Sequence, residues 1–287
     1  MASSPESRSS NFERHTIAFI GGGNMARSLI GAQLARGVAP ESIRVAEPRA
    51  EARDALANEF GVTTFSENAD AVDGADCIVL AVKPQVMRRV CEGLAKPLAV
   101  APPLVISIAA GIRVAQLERL LGAHLPIVRC MPNTPALIGA GAAGMFANRN
   151  VDAGQHALAE QILDAAGIVR WVDDEAQMDA VTALSGSGPA YFFLLVEAME
   201  DAAVELGLPR DIARALAAQT CLGAGHMLAN GDETAAILRE RVTSPHGTTA
   251  AALETFEKGA FRDLVERALA AAQQRGAEMS SELDAGE

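Results

Sequence analysis

The sequence predicts a two-domain α/β protein in which a doubly wound parallel sheet precedes an all-helical domain. Short apolar runs alternate with amphipathic stretches through the first half of the chain, as in repeated strand–helix–strand units. From about residue 176, Ala- and Leu-rich segments carry apolar residues at three- and four-residue spacing, which is typical of helices. The chain has 287 residues, which is enough for two domains of ordinary size.

Each apolar run of the first half predicts one strand, and the segments between the runs predict helices. Strands are expected at residues 17–20, 43–47, 62–65, 77–82, 104–108, 127–131 and 168–172. Helices are expected at residues 26–34, 49–60, 86–94, 114–121 and 154–166. The run at 77–82 is apolar throughout, as expected for a parallel strand that helices cover on both faces.

The second half predicts helices only. They are expected at residues 176–184, 190–206, 210–229, 233–242, 249–257 and 261–277. Gly207, Gly231 and Gly259 mark helix ends. The helix containing residues 211–222 is apolar on more than one face, so it needs partners on several sides and we expect an oligomer.

The glycine-rich stretch after the first strand indicates a nucleotide site of the Rossmann type. Gly21, Gly22 and Gly23 lead through Asn24 and Met25 into a helix, in the pattern G-x-G-x-x-A. Glycine permits a tight turn and lets the backbone approach a pyrophosphate closely, while the helix start offers free N–H groups to the anion. The flanking strand and helix make the motif specific, and the sequence therefore predicts a dinucleotide-binding domain.

With this motif the chain divides into four parts. Residues 15–175 form the predicted dinucleotide-binding domain, and residues 176–279 form the predicted helical domain. The Ser-, Glu- and Arg-rich residues 1–14 predict a disordered arm, and the polar residues 280–287 predict a frayed tail.

Composition excludes several classes of function. The net charge of −12 and the pI of about 4.9 argue against binding nucleic acid or an acidic membrane by bulk attraction. The four cysteines form no C-x-x-C pair and the five histidines are scattered, so no disulfide framework or metal site is expected. No signal peptide or membrane span is recognisable, and we expect a cytoplasmic protein.

The end of the second strand leaves the choice of coenzyme open. An acidic residue at this point binds the adenosine ribose of NADH, whereas a nearby basic residue accommodates the 2′-phosphate of NADPH. Glu47 favours NADH and Arg49 favours NADPH. Arg49 is also compatible with a solvated residue in the first turn of the next helix.

The ends of the fourth and fifth predicted strands indicate the rest of the coenzyme site, because ligands of open α/β sheets lie beyond the carboxyl ends of the strands. Ala81, Val82, Lys83 and Pro84 follow one of these strands, and the proline stops it. The fifth predicted strand ends at Ile108 and is followed by the small residues Ala109 and Ala110. Their small side chains leave room for a flat nicotinamide ring.

At this point the chain resembles the pyrroline-5-carboxylate reductase family. The strings F-I-G-G-G-N-M, A-V-K-P, S-I-A-A-G, R-C-M-P-N-T-P-A, L-S-G-S-G-P-A-Y and S-P-H-G-T-T carry the resemblance, in this order between residues 19 and 249. The resemblance implies NADPH- or NADH-dependent reduction of 1-pyrroline-5-carboxylate to L-proline. It also implies a helical domain that binds substrate and intertwines with a second subunit, with dimers that often assemble into decamers.

The resemblance also implies functional residues by position. Residues that resemble coenzyme contacts are Ile20, Gly21, Gly22, Gly23, Asn24, Met25, Asn68, Ala81, Val82, Lys83, Pro84, Ile108, Ala109 and Ala110. Residues that resemble substrate contacts are Glu175, Ser244, Gly247, Thr248 and Thr249. One departure is His246, which stands where the family usually has glycine. If that position requires a positive φ, histidine is tolerated at a cost.

The segment 244–249 has the features of an anion site at a helix start, since it combines hydroxyl groups, a proline, a glycine and backbone N–H groups. The segment suits the substrate carboxylate. We expect the Thr249 hydroxyl to form a hydrogen bond with the ring nitrogen and so to orient it. Threonine is a poor general acid, so water or an already protonated imine would supply the proton. The alternative is that Ser244 and the threonines only cap the helix.

Two other functions remain open on the sequence. A β-hydroxyacid dehydrogenase-like enzyme shares the two-domain plan but uses a lysine of the second domain, where this chain has only Lys258, near a helix end. A non-catalytic dinucleotide sensor would need a basic or partner-binding element, and the acidic chain offers no basic helix.

Overall fold

The computed structural model describes residues 15–100, 102–122 and 124–285. These residues form two compact units, which we call the sheet unit (up to residue 186 and from residue 272 onward) and the helical unit (Ser187–Ala271). The arm expected at residues 1–14 lies outside the described residues.

The strands of the sheet unit follow the apolar runs of the sequence. They are β1 (Ile17–Ile20), β2 (Ile43–Ala46), β3 (Thr63–Phe65), β4 (Cys77–Leu80), β5 (Leu104–Ser107), β6 (Ile127–Met131), β7 (Gly141–Ala147) and β8 (Gly167–Trp171). In the described part of the chain these eight strands form one sheet in the order β3-β2-β1-β4-β5-β6-β7-β8. The reversal of strand order between β1 and β4 is typical of doubly wound nucleotide-binding sheets.

The helices of the sheet unit connect these strands. They are α1 (Asn24–Ala35), α2 (Ala50–Phe60), α3 (Asn68–Val72), α4 (Pro84–Val100), α5 (Val114–Leu121), α6 (Ala153–Asp164) and α7 (Gln177–Val181). Short 3₁₀ turns lie at Pro40–Ser42 and Thr134–Ile138, and one π turn lies at Thr182–Gly186. Buried apolar side chains form one cluster on each face of the sheet, which explains why β1 and β4 are apolar at every position.

The sequence predicted a parallel sheet, but the observed sheet is not wholly parallel. Strand β7 pairs antiparallel with β6, and β8 pairs parallel with β7, so these two outer strands run against the other six. Strand β7 was not expected, because its sequence GAAGMFA has no β-branched residue. Its glycines are required by contacts instead: a Cβ at Gly144 would lie 2.4 Å from Val181 Cγ1, and a Cβ at Gly141 would lie 2.7 Å from the Ala166 carbonyl oxygen.

The elements of the helical unit are all helices, as the periodicity predicted. They are α8 (Gly188–Glu205), α9 (Arg210–Asn230), α10 (Ala235–Arg241), α11 (Thr248–Lys258) and the start of α12 (Phe261–Ala285). Few of its side chains are buried in the single chain, Ala213 and Ala217 of α9 among them. Large apolar side chains of α8 remain exposed, including Phe192, Phe193 and Leu194.

The carboxyl-terminal segment is more ordered than the sequence predicts. Helix α12 continues to Ala285, although its polar end was expected to fray from residue 280. Its second half, from Ala272, belongs to the sheet unit, where Ser280 is fully buried. None of the helices in the described residues is long and apolar enough to cross a membrane.

Candidate functional site

The turn between β1 and α1 brings the ends of three strands together. Gly21 has a φ of +100°, and a Cβ at this position would lie 2.7 Å from the carbonyl oxygen of Ala81, at the end of β4. The N–H of Gly21 donates to the Ala46 carbonyl at the end of β2 over 2.8 Å. Only glycine satisfies both the conformation and the close approach, so the turn is fixed against the edge of the sheet where the coenzyme is expected.

The start of α1 fits a pyrophosphate. Gly23 is its N-cap residue, and no side chain of the described residues caps this helix. A Cβ at Gly23 would point into open space, so the surface over the first turn is open as well. The N–H groups that follow, from Asn24 and Met25, therefore face the helix end without a capping side chain, and the helix dipole favours an anion there.

Glu47 is tied to the glycine turn. Its Oε2 accepts from the N–H of Gly22 over 3.2 Å, and its Oε1 accepts from Arg49 Nε over 2.9 Å and from the Arg49 N–H over 3.2 Å. The Glu47 side chain is 8% exposed, whereas that of Arg49 is 74% exposed. The carboxylate is thus engaged within the protein, and the guanidinium of Arg49 lies at the surface.

These contacts set the ionisation of Glu47. Burial disfavours the charged carboxylate, but the hydrogen bonds from the Arg49 side chain and from the N–H groups of Arg49 and Gly22 outweigh that cost. Together with the charge of Arg49 they hold the pKa of Glu47 below its ordinary value. Arg53 adds a second cation nearby, and its Nη1 donates to the Glu47 carbonyl over 2.8 Å.

The other predicted coenzyme residues lie at the same edge of the sheet. The N–H of Ala81 donates to the Ile20 carbonyl, and the N–H of Ile108 donates to the Leu80 carbonyl, which joins the ends of β1, β4 and β5. Lys83 is exposed, Ala109 is buried, and Asn68 begins α3 after β3. The coenzyme residues expected at the ends of these strands are therefore brought together.

Glu175 belongs to an ion cluster around the buried Arg129 that sequence analysis missed. Its Oε1 accepts from Arg129 Nη1 over 3.0 Å and from the N–H of Val114 over 2.8 Å, and Arg129 Nη2 lies 3.5 Å from Asp179 Oδ1. Arg129 is 4% exposed. Nothing but an isolated arginine inside an apolar strand signalled this cluster, and its carboxylate partners follow much later in the sequence. The substrate contact that the resemblance implies for Glu175 stays a prediction.

The helical unit holds the segment 244–249 at the start of α11. Gly247 is the N-cap residue, and its N–H donates to the Ser244 carbonyl over 3.0 Å. A Cβ at Gly247 would lie 2.4 Å from Ser244 Oγ, so glycine is required. No side chain of the described residues caps α11. The binding role of Ser244, Thr248 and Thr249 stays a prediction.

The departure from the family pattern is visible in the same segment. His246 has a φ of +60° and is exposed, so the position does require the left-handed conformation that glycine adopts freely. Lys258 lies at the end of α11. A β-hydroxyacid dehydrogenase mechanism would depend on this lysine. Its Nζ is 2.7 Å from Glu254 Oε1, in an exposed pair.

A Glu47→Gln variant tests the network around the glycine turn. Because the pKa of Glu47 is lowered in the folded state, its charge stabilises the fold above the unfolded-state value of 4.5, and this contribution is lost as the pH falls through the folded-state pKa. The variant should therefore be less stable than the wild type near neutral pH, and the deficit should shrink below pH 4.5.

Urea unfolding midpoints across this pH range measure the deficit. The matched control is Glu160→Gln, which removes an exposed carboxylate from α6. A deficit for Glu47→Gln that is equal at neutral and acidic pH would contradict the lowered pKa.

Comparison with known proteins agrees with this geometry. The family model described as pyrroline-5-carboxylate reductase dimerisation matches residues 175–279, and that described as NADP oxidoreductase coenzyme F420-dependent matches residues 16–111. The pyrroline-5-carboxylate reductase of Pseudomonas aeruginosa is 54% identical over 93% of this chain and 97% of its own.

Solved structures give the same result. The pyrroline-5-carboxylate reductase of Coxiella burnetii is 44% identical with a TM-score of 0.90, over 93% of this chain and 98% of its own. The Plasmodium falciparum pyrroline carboxylate reductase, solved with NADP bound, is 31% identical with a TM-score of 0.82, over 94% of this chain and 99% of its own. The chain belongs to the pyrroline-5-carboxylate reductase family.

Proposed function

We propose that the protein reduces the C=N bond of 1-pyrroline-5-carboxylate to give L-proline, the last step of proline biosynthesis, with a nicotinamide coenzyme as reductant. The observation that carries the proposal is the glycine turn, fixed at one sheet edge against Ala81 and Ala46, in a chain 54% identical to a reductase of that name. A non-catalytic sensor would not require the substrate segment at residues 244–249.

The protein contributes binding, orientation and exclusion of water, and the coenzyme supplies a hydride to the imine carbon when it is bound. The first turn of α1 holds the pyrophosphate, and the small residues Ala109 and Ala110 that follow Ile108 leave space for the ring. The nitrogen of the product takes up one proton, which water or the already protonated imine supplies.

The segment 244–249 binds the substrate in this proposal. The carboxylate of 1-pyrroline-5-carboxylate accepts hydrogen bonds from backbone N–H groups and hydroxyl groups at the start of α11, where the helix dipole adds a favourable field. Thr249 lies in the first turn of α11 and orients the ring nitrogen. Gly247, the N-cap residue of α11, has no side chain to cap the helix, which leaves the N–H groups of the first turn for a ligand and supports that role.

NADPH is the coenzyme that the ribose end of the site favours. A carboxylate selects NADH by accepting from the ribose hydroxyl groups, but Glu47 already accepts from Gly22 and Arg49. Arg49 instead presents an exposed guanidinium, and Arg53 lies beside it. An arginine fork binds a 2′-phosphate well, because its planar N–H donors match the phosphate oxygens.

The protein acts as a homo-oligomer with a dimer as its unit. The match to the dimerisation model covers the whole helical unit, whose helix α8 leaves Phe192, Phe193 and Leu194 exposed in the single chain. A contiguous apolar surface of this kind is typical of an interface. Assembly into decamers is a further expectation from the resemblance. We place the enzyme in the cytoplasm, where its free cysteines remain reduced.

Arg49→Ala tests the choice of coenzyme. Loss of a charge-assisted hydrogen bond of about 1.5–3 kcal/mol should raise the KM for NADPH roughly tenfold to a hundredfold, with little change for NADH. Steady-state reduction of 1-pyrroline-5-carboxylate with each coenzyme measures the ratio. Arg89→Ala, at an exposed position of α4, removes the same charge elsewhere and should leave the ratio unchanged. An unchanged ratio in Arg49→Ala would remove Arg49 from the site.

Thr249→Ala tests the substrate segment. The loss of one orienting hydrogen bond should lower kcat about tenfold to a hundredfold while the Kd for NADPH stays unchanged, and Thr249→Ser should restore most of the rate. The control is Thr255→Ala in the same helix, where the hydroxyl only donates to the Ala251 carbonyl over 3.0 Å. Equal losses in kcat and coenzyme affinity would contradict the assigned role.

Phe193→Asp tests the assembly. Phe193 is 67% exposed in the single chain, so a charge there should be tolerated by a monomer but should disrupt an interface. Sedimentation should show at least a dimer for the wild type and a smaller species for the variant. Ile138→Asp, at an 83% exposed apolar position of the sheet unit, serves as the control. A wild type that is active as a stable monomer would refute the dimer.

A further inference from the structure

The last turns of α12 lie directly against the loop that follows β5. This loop, residues 108–113, turns at Gly111, which is buried and has a φ of +75°. A Cβ at Gly111 would lie 3.4 Å from Leu283 Cδ1, 3.7 Å from Met279 Cβ and 3.8 Å from the Ser280 nitrogen. Helix α12 therefore comes within the reach of a single methyl group of the loop backbone at Gly111, a position that carries no side chain.

The helix end is itself held in place. Ser280 is fully buried, and its Oγ donates to the Gly276 carbonyl over 3.1 Å. Leu283 packs against the buried cluster that contains Ala109 and Ile112 of the same loop. Asp284 forms an ion pair with Arg119 of α5. Burial, packing and charge thus fix a segment that the sequence alone predicts to be frayed.

The other end of the loop is held by the ion cluster around Arg129. Glu175 accepts from the N–H of Val114, where α5 begins directly after the loop, and Arg129 holds Glu175. Asp179, the second partner of Arg129, would lie 3.8 Å from a Cβ at Gly276 of α12. Helix α12 and the ion cluster therefore hold residues 108–114 at two points, Gly111 and Val114.

We propose that residues 279–284 of α12 form a brace that positions the nicotinamide-side loop, with Leu283 as its positioning residue. This inference rests on the proposed function, because it assigns residues 108–110 to the coenzyme ring. Ala109 and Ile112 of the loop lie in the buried cluster against which Leu283 packs, so the backbone position of the loop depends on how well that cluster is filled. A displacement of about 1 Å at a reacting group lowers a rate about a hundredfold.

Leu283→Ala in the full chain tests the brace. Amide hydrogen exchange of residues 108–114 in the coenzyme-free protein should accelerate at least tenfold. The Kd for NADPH should rise several-fold, and the primary deuterium isotope effect on kcat should change, because ring placement and not the amount of folded protein is altered. Leu283→Met should restore all three quantities.

Leu120→Ala is the matched control. Leu120 lies on α5, is half-buried like Leu283, and packs against the same cluster, but it is not among the atoms nearest to Gly111. It should cost comparable stability without changing the exchange of residues 108–114, the Kd or the isotope effect. Equal effects of the two alanine variants, or no effect of Leu283→Ala, would overturn the brace.

A second pair of variants covers the case in which Leu283→Ala folds poorly. Gly111→Ala and Gly122→Ala both impose a side chain on a positive φ, at +75° and +68°, but only at Gly111 would the added Cβ be in van der Waals contact with α12, whereas at Gly122 it would meet Ala95 of α4. The backbone strain that Gly111→Ala places on the loop should therefore reach α12, and this variant alone should accelerate exchange at residues 276–285. If wild-type protein fails to reduce 1-pyrroline-5-carboxylate, the proposed function falls, whereas the exchange measurements still decide the brace.

Discussion

The close approach of Gly21 to the end of β4 is the constraint on which the rest of the site depends. With no Cβ at this position, the chain leaves β1, passes within contact of the Ala81 carbonyl and enters α1 with its first N–H groups uncapped. Any other residue would push α1 away from the strand ends, because backbone and not a flexible side chain occupies the space. The packing of the strand ends, more than any polar side chain, therefore shapes the coenzyme site that we propose.

The charged residues around this turn show why pairing matters more than residue type. Glu47 and Arg49 each point to a different coenzyme when they are considered separately, so the sequence left the question open. In the structure the two side chains bind each other, and the buried carboxylate also holds Gly22. The acid therefore organises the protein, and the arginine side chain lies at the surface. Such a division of roles depends on distances that a single sequence does not contain.

Elements with a strong hydrophobic pattern were predictable, and those shaped by close contacts were not. Strands β1 and β6 and helix α5 follow the expected residues, since burial on both faces or on one stripe leaves a clear period. Strand β7 was missed because its glycines are required by close contacts with neighbours such as Val181, and not by a hydrophobic pattern. The expected coenzyme residues do meet at one edge of the sheet, whereas the cluster around Arg129 depends on partners distant in the sequence, for which the sequence carries no signal.

The environments of the four cysteines differ in a way that has a practical use. Burial raises the pKa of the thiols of Cys77 and Cys130 far above the usual range and that of Cys91 to about 12, so all three resist alkylation in the native protein. Cys221 of α9 is partly exposed, on the same side of the helical unit as Phe192 and Phe193. A maleimide dye would therefore mark this one thiol, and its labelling rate would report how often that surface opens to solvent.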